Sequence, residues 1–200
     1  MSEPKKESKG VVVKLVCVRM SFAHLFEKDQ YKRYSANFLF DPDSDADKAV
    51  RAAVNKAATN MWGPDAAAKL KVFKAKDEIC YRDGNSKLTP DGDVYTGYEG
   101  KKVLTATASV QPTLLNELRE QVKADAGKLY SGCYVTAIVE IWPQNGPKYY
   151  GIRCQLQGVQ HFKDGESFGG GRKASPDEFD DAPLNPDGDT AAGGDEDGLL

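Results

Sequence analysis

Acidic residues are concentrated at one end of this 200-residue chain. Residues 175–200 hold nine Asp or Glu residues and no Lys or Arg, which gives this segment a net charge of −9. Residues 1–174 hold all 27 basic residues and 21 acidic ones, and their net charge is +6. A segment this polar and this rich in Pro and Gly cannot bury enough apolar surface to fold. The core must therefore form before it, and we expect residues 176–200 to be a disordered acidic tail.

Composition also sets the other boundaries. We predict a flexible basic arm over residues 1–10, one folded domain over residues 11–168, and a hinge over residues 169–175 that begins with three glycines. No stretch approaches the ~20 consecutive apolar residues of a membrane-spanning helix, and the first ten residues do not form a secretion signal. We expect a cytoplasmic protein with no membrane partner.

Five segments have the composition or the alternation of β-strands. They cover residues 11–26, 31–40, 103–110, 134–142 and 149–159. In the second segment, alternation predicts one buried and one solvent-exposed face. The buried face would hold Tyr34, Ala36, Phe38 and Phe40, and the exposed face Arg33, Ser35, Asn37 and Leu39. Asn145-Gly146 favours a tight hairpin turn between the last two strands.

Two segments have the apolar spacing of helices. Residues 46–61 follow the capping residues Asp43, Ser44 and Asp45 and stop at Gly63. Residues 112–124 are predicted as a second helix, with its leucines facing inward, and residues 72–95 as turn-rich connections. The sequence thus predicts a mainly β protein with inserted helices, of the α+β class, built on a small closed or partly closed five-stranded barrel.

Catalytic and cofactor motifs are missing or incomplete. There are only two histidines, no Gly-x-Ser-x-Gly sequence marks a nucleophile, and the four cysteines lack zinc-ligand spacing. The run Asp41, Asp43, Asp45 imitates the start of a calcium loop, but alanines stand where that loop needs Gly and Glu. We therefore predict a protein that is not an enzyme and needs no metal or cofactor.

Two alternatives remain open at this point. A magnesium-dependent nuclease would gather the acidic side chains of Asp77, Glu78, Asp83, Asp91 and Asp93. A structural or assembly protein of a virion would instead use exposed tyrosines to contact protein.

Aromatic and basic residues are interleaved along the body, which is the combination that single-stranded nucleic acid requires. Bases stack on flat rings for about 1–3 kcal/mol each, and Lys and Arg neutralise phosphates. The candidate stacking rings are Tyr31, Tyr34, Tyr98, Tyr149 and Tyr150. The candidate phosphate contacts are Arg33, Arg82, Lys101, Lys102 and Arg153. Alternation supports Arg33, which it places on the exposed face, and opposes Tyr34, which shares a face with Phe38.

The acidic tail suggests a regulatory role. Nine negative charges tethered by a glycine hinge act at high local concentration on a basic surface of the same chain. We expect the tail to compete with nucleic acid for that surface.

An ordered series of short segments resembles a family of tailed-phage replication proteins that bind single-stranded DNA. The segments are Arg19–Glu27, Tyr34–Ala36, Tyr130–Val135, Gly158–Gln160 and Asp164–Glu166, and the match covers about residues 11–174. The resemblance implies an oligonucleotide/oligosaccharide-binding (OB) barrel and binding without sequence preference in the cytoplasm of an infected bacterium, with self-association along DNA allowed.

The same resemblance implies a role for the end of the tail. The tails of this family recruit replication or recombination proteins. Many of these tails end in Phe, whereas this chain ends in leucines that would fill an apolar partner pocket. The residues implied in partner binding are Asp195, Glu196, Asp197, Leu199 and Leu200.

Overall fold

The computed structural model of this protein describes residues 10–146 and 149–168. The predicted arm up to residue 9, the glycine hinge and the acidic tail lie outside the described residues. Within them, the strands are β1 (Val11–His24), β2 (Tyr34–Phe40), β3 (Tyr81–Asp83), β4 (Lys102–Ala108), β5 (Thr113–Leu115), β6 (Tyr134–Asn145) and β7 (Tyr150–Lys163). The α-helices are α1 (Asp45–Trp62) and α2 (Ala66–Ala75). No helix in this described part has the length and apolar character needed to cross a bilayer.

Five of the strands close into a ring. β1 pairs antiparallel with β2 and with β6, β2 pairs antiparallel with β4, and β6 pairs antiparallel with β7. A parallel pairing between β4 and β7 completes the ring. β3 extends the sheet beside β4, and β5 extends it beside β7. The ring strands are the five predicted strand segments, so the prediction of a mainly β protein with inserted helices is confirmed.

The inside of the ring forms the main core. Its largest side chains include Leu15, Phe38, Leu104, Val139 and Leu156, each at most 2 % exposed. α1 packs against β1 and β6 and buries its own small apolar side chains. Side chains of the described residues therefore fill the inside of the ring, so we expect a binding surface on its outside.

α1 begins and ends as the sequence predicts. The hydroxyl of Ser44 accepts a hydrogen bond from the backbone N–H of Asp47, which satisfies one unpaired donor of the first turn. The buried carboxylate of Asp47 in turn accepts hydrogen bonds from the Tyr81 hydroxyl and the Asp43 backbone N–H. Gly63, with a φ of +53°, ends the helix.

β1 contains two bulges that change the direction in which its side chains point. The pairing register with β6 shifts between Leu15 and Val18, where Cys17 has a φ of +53°. The register with β2 shifts between Ser21 and His24, where Phe22 has a φ of +47°. Each bulge adds one residue to the strand without a partner. Both bulges lie within the first predicted strand segment, residues 11–26.

Two expectations about helices are wrong. Residues 112–124 do not form a helix, because Leu114 pairs with Val159 in the parallel β5–β7 ladder and Leu118 is 77 % exposed. The side-chain oxygen of Asn116 accepts backbone hydrogen bonds from Leu118 and Glu120, which makes a turn where the helix was expected. Conversely, the prediction missed α2, part of which falls in the segment expected to be turn-rich.

The expectation of a solvent-exposed face on β2 is only half right. Leu39 is 3 % exposed and Asn37 is 8 % exposed, although both point out of the ring. The loop of residues 84–101 lies over them, and Tyr98 packs on Leu39 and on Val103 of β4. A small second core therefore lies outside the ring.

Candidate nucleic-acid interface

A row of polar side chains crosses the outside of four neighbouring strands. Strand register places His24 of β1 opposite Ser35 of β2, Ser35 opposite Thr107 of β4, and Thr107 opposite Gln155 of β7. All four are at least partly exposed, and in β2, β4 and β7 they alternate with buried residues of the ring core. We call His24, Ser35, Thr107 and Gln155 the outer row. It forms a polar track that runs across the strands.

The loop of residues 25–33, at one end of the outer row, presents an aromatic ring and a cation. The carboxylate of Asp29 accepts hydrogen bonds from the backbone N–H groups of Tyr31 (2.9 Å) and Arg33 (3.1 Å) and from the Ser35 hydroxyl (2.9 Å). This turn leaves the Tyr31 ring 75 % exposed and the Arg33 side chain exposed. Both lie beside the outer row at the start of β2.

The hydrogen bonds to Asp29 also determine its ionisation. Partial burial opposes the charged form, but the three donors favour it more strongly, and the pKa of Asp29 lies below its usual range. The loop is therefore organised around a carboxylate that is ionised at neutral pH.

The hairpin between β6 and β7 supplies a cation at the opposite end of the row and carries two exposed rings near its tip. Arg153 lies two residues before Gln155 and so faces the same side of β7. Its Nε donates to Gln144 Oε1 at 3.1 Å, and its Nη2 donates to the Tyr150 carbonyl at 3.2 Å. The tyrosine rings at 149 and 150 are 56 % and 43 % exposed. Three of the predicted site residues are thus brought to the two ends of one row: Tyr31, Arg33 and Arg153. Tyr149 and Tyr150 lie farther toward the hairpin tip, and strand alternation turns Tyr150 to the face of β7 opposite Arg153.

Tyr98 does not present a ring to solvent, which corrects its predicted stacking role. Its side chain is 1 % exposed, its hydroxyl donates to Ser21 Oγ at 3.1 Å, and it accepts from Asn37 Nδ2 at 3.0 Å. Burial raises the pKa of this phenol. Tyr98 instead fixes the loop of residues 84–101 on the outside of the ring.

Tyr34 is half-buried against the ring core, as alternation indicated. The Nζ of Lys28 lies 5.5 Å from the centre of its ring. Only part of this ring therefore faces the outer row.

The remaining predicted cations are engaged in ion pairs. Lys101 pairs with Asp41, Lys102 with Asp83 at 2.7 Å, and Arg82 with Asp77 at 2.7 Å. The hydrogen bond from Lys102 is the largest contribution that lowers the pKa of Asp83. These pairs stabilise the connections around β3, and their cations are less available to phosphate than Arg33 or Arg153.

The carboxylates considered for a magnesium site are therefore partly committed to lysine and arginine. Within residues 10–146 and 149–168, no group of three or more His, Cys, Asp or Glu side chains has the arrangement of a metal site.

Sequence reasoning missed an aromatic cluster beside the β1 bulge. Phe22, Tyr95 and Tyr98 meet edge to face, with the Phe22 and Tyr95 ring centres 5.1 Å apart. Phe22 appeared in the sequence only as part of a family-like segment. The signal that identifies it as a surface residue is a backbone bulge, which alternation does not reveal.

The segments that carry the family resemblance contact one another. The guanidinium of Arg19 donates to the carbonyls of Gly132 and Glu166, and Ser131 bonds to the backbone at Ala23 and Phe168. Gly132 has a φ of +120°, and a Cβ at this position would lie 2.1 Å from the Glu166 carbonyl oxygen. These contacts fix residues 164–168 to β1 and to the start of β6, which gives the shared segments a structural role.

Comparison with known proteins gives a consistent result. The profile of the family described as Enterobacter phage Enc34, ssDNA-binding protein, matches residues 10–190. The "Putative protein p50" of Acyrthosiphon pisum secondary endosymbiont phage 1 is 35 % identical over 183 residues, which cover 86 % of this chain and 94 % of that protein.

Solved structures of phage proteins match as well. The single-stranded DNA-binding protein of bacteriophage Enc34 matches with a TM-score of 0.64 and 27 % identity, over 88 % of this chain and 97 % of that one. The same protein in complex with ssDNA matches with a TM-score of 0.63 and 25 % identity, over 82 % and 96 % of the chains. The fold alone is shared with gp2.5 of bacteriophage T7, at a TM-score of 0.52 and 11 % identity over 92 % and 100 % of the chains.

Proposed function

This chain belongs to the family of phage single-stranded-DNA-binding proteins represented by the Enc34 protein, and on that premise we propose that it coats single-stranded DNA during phage replication or recombination. The family and the matched structures are DNA-binding proteins, not enzymes. Binding without sequence preference in the cytoplasm of the infected bacterium is part of the proposal, as is self-association along the DNA.

The outer row, with an exposed ring and a cation at one end and a second cation at the other, is the observation that carries this proposal. Hydroxyl and amide side chains along the row offer hydrogen bonds to sugar and base edges of any sequence. Tyr31 at one end of the row, with Tyr149 and Tyr150 near the tip of the β6–β7 hairpin, would offer surfaces on which bases stack, and Arg33 and Arg153 would offer phosphate contacts. These features suit a flexible single strand whose bases are unpaired.

We further propose that the ring is an OB-type barrel. In OB folds, oligonucleotides bind across the second and third strands, between the loop joining the first two strands and the loop joining the last two. In this ring, β2 and β4 are the second and third strands, and both carry the outer row. The loop of residues 25–33 and the turn after Asn145 are the corresponding loops. The proposed track therefore lies where an OB fold places it.

The tail proposal rests on charge. With a net charge of −9 against +6 for residues 1–174, residues 176–200 are suited to compete with DNA for the outer row. The last residues of the tail, from Asp195 to Leu200, are proposed to recruit replication or recombination proteins. The domain boundaries proposed with it are the arm over residues 1–10, the body over 11–168 and the hinge over 169–175.

The test of DNA binding is fluorescence anisotropy of the full chain with a labelled oligothymidine at several salt concentrations. We expect affinity to fall as salt rises, with a log–log slope of about −0.7 for each phosphate neutralised. A flat salt response would contradict binding along a cationic track. Stable assembly that ignores added oligonucleotide would favour the virion-protein alternative instead.

The test of the tail compares the full chain with a variant that ends at residue 175. Removal of the nine negative charges should tighten DNA binding at low salt, and the difference should shrink as salt screens the competition. The shortened chain should also lose its capture of replication proteins. Weaker DNA binding after truncation would contradict the competition.

A further inference from the structure

An aromatic pocket of about 210 Å³ lies on the outside of the ring, next to the second bulge of β1. Four aromatic residues are among those that line it, Phe22, Tyr95, Tyr98 and Phe168, and of these Tyr98 is only 1 % exposed. Clefts that hold whole small molecules usually measure about 300–1,000 Å³. This pocket is smaller, and its flat walls suit a single planar ring.

The walls of the pocket are held in place before any ligand arrives. The planes of Phe22 and Tyr95 meet at 87°, and Tyr98 is fixed by its two hydroxyl hydrogen bonds. The backbone N–H of Phe168 donates to the Ser131 carbonyl, and the Arg19 guanidinium lies 4.0 Å from the centre of the Phe168 ring. A preformed site loses little side-chain entropy when it binds.

A cation stands at the rim of the pocket. The Nζ of Lys87 lies 5.1 Å from the centre of the Phe22 ring and 5.9 Å from that of Tyr95. In the part of the chain that the structure describes, Lys87 forms no ion pair, unlike Lys101 and Lys102 of the same loop region. Its charge is therefore available to an anion next to the aromatic walls.

The pocket continues the outer row. His24, the β1 member of the row, lies two residues after Phe22, and the bulge between Ser21 and His24 leaves the Phe22 ring 37 % exposed. A strand that follows the row past β1 therefore reaches the pocket directly.

We propose that this pocket holds one unstacked base of single-stranded DNA, with the phosphate of the same nucleotide at Lys87. The inference rests on the proposed function and extends its track by one position. The hydroxyls of Thr96 and Ser131 line the pocket, and a hydroxyl both donates and accepts hydrogen bonds. Such groups accept the edge of any base, which agrees with binding that ignores sequence.

The first experiment measures how much the base itself contributes at this pocket. Full-length wild type and Phe22→Leu are titrated with oligothymidine and with an abasic oligonucleotide of equal length. Leu keeps the apolar side chain but removes the stacking ring, and it has the same backbone cost as Phe at a positive φ. We expect affinity for oligothymidine to fall about 5- to 20-fold, with affinity for the abasic strand unchanged.

Phe162→Leu is the matched control, because Phe162 is 48 % exposed on β7 and does not line the pocket. This variant should leave both affinities unchanged. An equal loss for both strands with Phe22→Leu, or no loss for either, overturns the pocket while wild-type binding leaves the proposed function standing. If wild type shows no salt-dependent binding at all, the proposed function fails and the pocket with it.

The second experiment tests the phosphate contact. Lys87→Gln should reduce the magnitude of the salt slope by about 0.7, the contribution of one neutralised phosphate. Lys71→Gln, an exposed lysine on α2, should leave the slope unchanged. An unchanged slope in Lys87→Gln overturns the assignment of Lys87.

A third experiment tests whether DNA or the acidic tail occupies the pocket. A synthetic peptide of residues 176–200 is titrated against full-length wild type and Phe22→Leu. If the substitution weakens binding of the peptide and leaves oligothymidine affinity unchanged, the pocket belongs to the tail and the proposal is overturned.

Discussion

The outside of β2 and β4 carries two regions that differ in solvent exposure and in the partners of their cations. Leu39 and Val103 are covered by Tyr98 and are at most 5 % exposed, whereas Ser35 and Thr107, further along the same strands, remain open to solvent. On the covered side, Lys101 and Lys102 are neutralised by carboxylates. Among the described residues, Arg33 and Arg153 on the open side form no ion pair.

This difference separates structural cations from candidate DNA-binding cations. A lysine already paired with a carboxylate must break that pair before it contacts a phosphate, so its net gain is small. A cation with neutral partners keeps its full attraction for a polyanion. Whether a cation is available to DNA therefore depends more on the charge of its neighbours in the fold than on its position in the sequence.

The largest expected effect is the loss of folding stability when Tyr98, on the covered side, is truncated. Tyr98→Ala removes a ring from the second core and should lower the free energy of unfolding by about 3–5 kcal/mol, as for other large-to-small aromatic truncations. Urea denaturation measures this loss. The matched control Tyr31→Ala, on a side chain 75 % exposed, should change stability by no more than about 0.5 kcal/mol. Equal losses for the two variants would remove the distinction between the regions.

The next largest effect is on DNA affinity, where Tyr31 should matter more than the hydroxyl of Tyr98. Tyr31→Ala should weaken binding of oligothymidine by about 1–3 kcal/mol, the value of one stacked base. Tyr98→Phe keeps the buried ring and loses only its hydroxyl, so it should leave that affinity nearly unchanged. Anisotropy titrations measure both. A larger loss of affinity in Tyr98→Phe than in Tyr31→Ala would contradict the stacking role of Tyr31.

A third prediction compares cations. Arg33→Gln and Arg153→Gln should each reduce the magnitude of the salt slope by about 0.7, because each removes one phosphate contact. Lys101→Gln should change the slope little, since its ammonium is already paired with Asp41. A salt slope that changes in Lys101→Gln but in neither arginine variant would contradict this prediction.

The smallest effect concerns pH. The folded-state pKa of Asp29 lies below its ordinary value, so its stabilisation of the loop is present above the unfolded-state value of about 3.9 and is lost as pH falls through the folded one. The difference in urea stability between wild type and Asp29→Asn should therefore be greatest at neutral pH and should shrink as pH falls below the unfolded-state value. A difference that grows on acidification would contradict this assignment.

Local patterns predicted the ring well. Composition or alternation identified each of the five ring strands, and the capping residue Ser44 with Gly63 marked the ends of α1. These features depend on neighbours a few residues away, which a sequence displays directly.

The errors came from contacts between distant segments. Leu114 and Leu118 have helical spacing, but the edge of β7 offers Leu114 a strand partner 45 residues away. Leu39 was expected in solvent because nothing nearby in the chain shows that Tyr98 covers it. For the same reason, the sequence identified the exposed ring of Tyr31 beside the outer row but not the pocket beside Phe22.

The first bulge of β1 has a consequence for how this segment tolerates mutation. If all of these residues were paired regularly with β6, with no bulge between Leu15 and Val18, strict alternation would turn Arg19 toward the apolar interior and Val18 and Met20 toward solvent. The bulge absorbs one residue, so position 17 needs a backbone that adopts a positive φ more than it needs a particular side chain. Glycine or asparagine therefore suit position 17, and deletion of one residue there should remove the bulge and leave both halves of the strand facing as they do now.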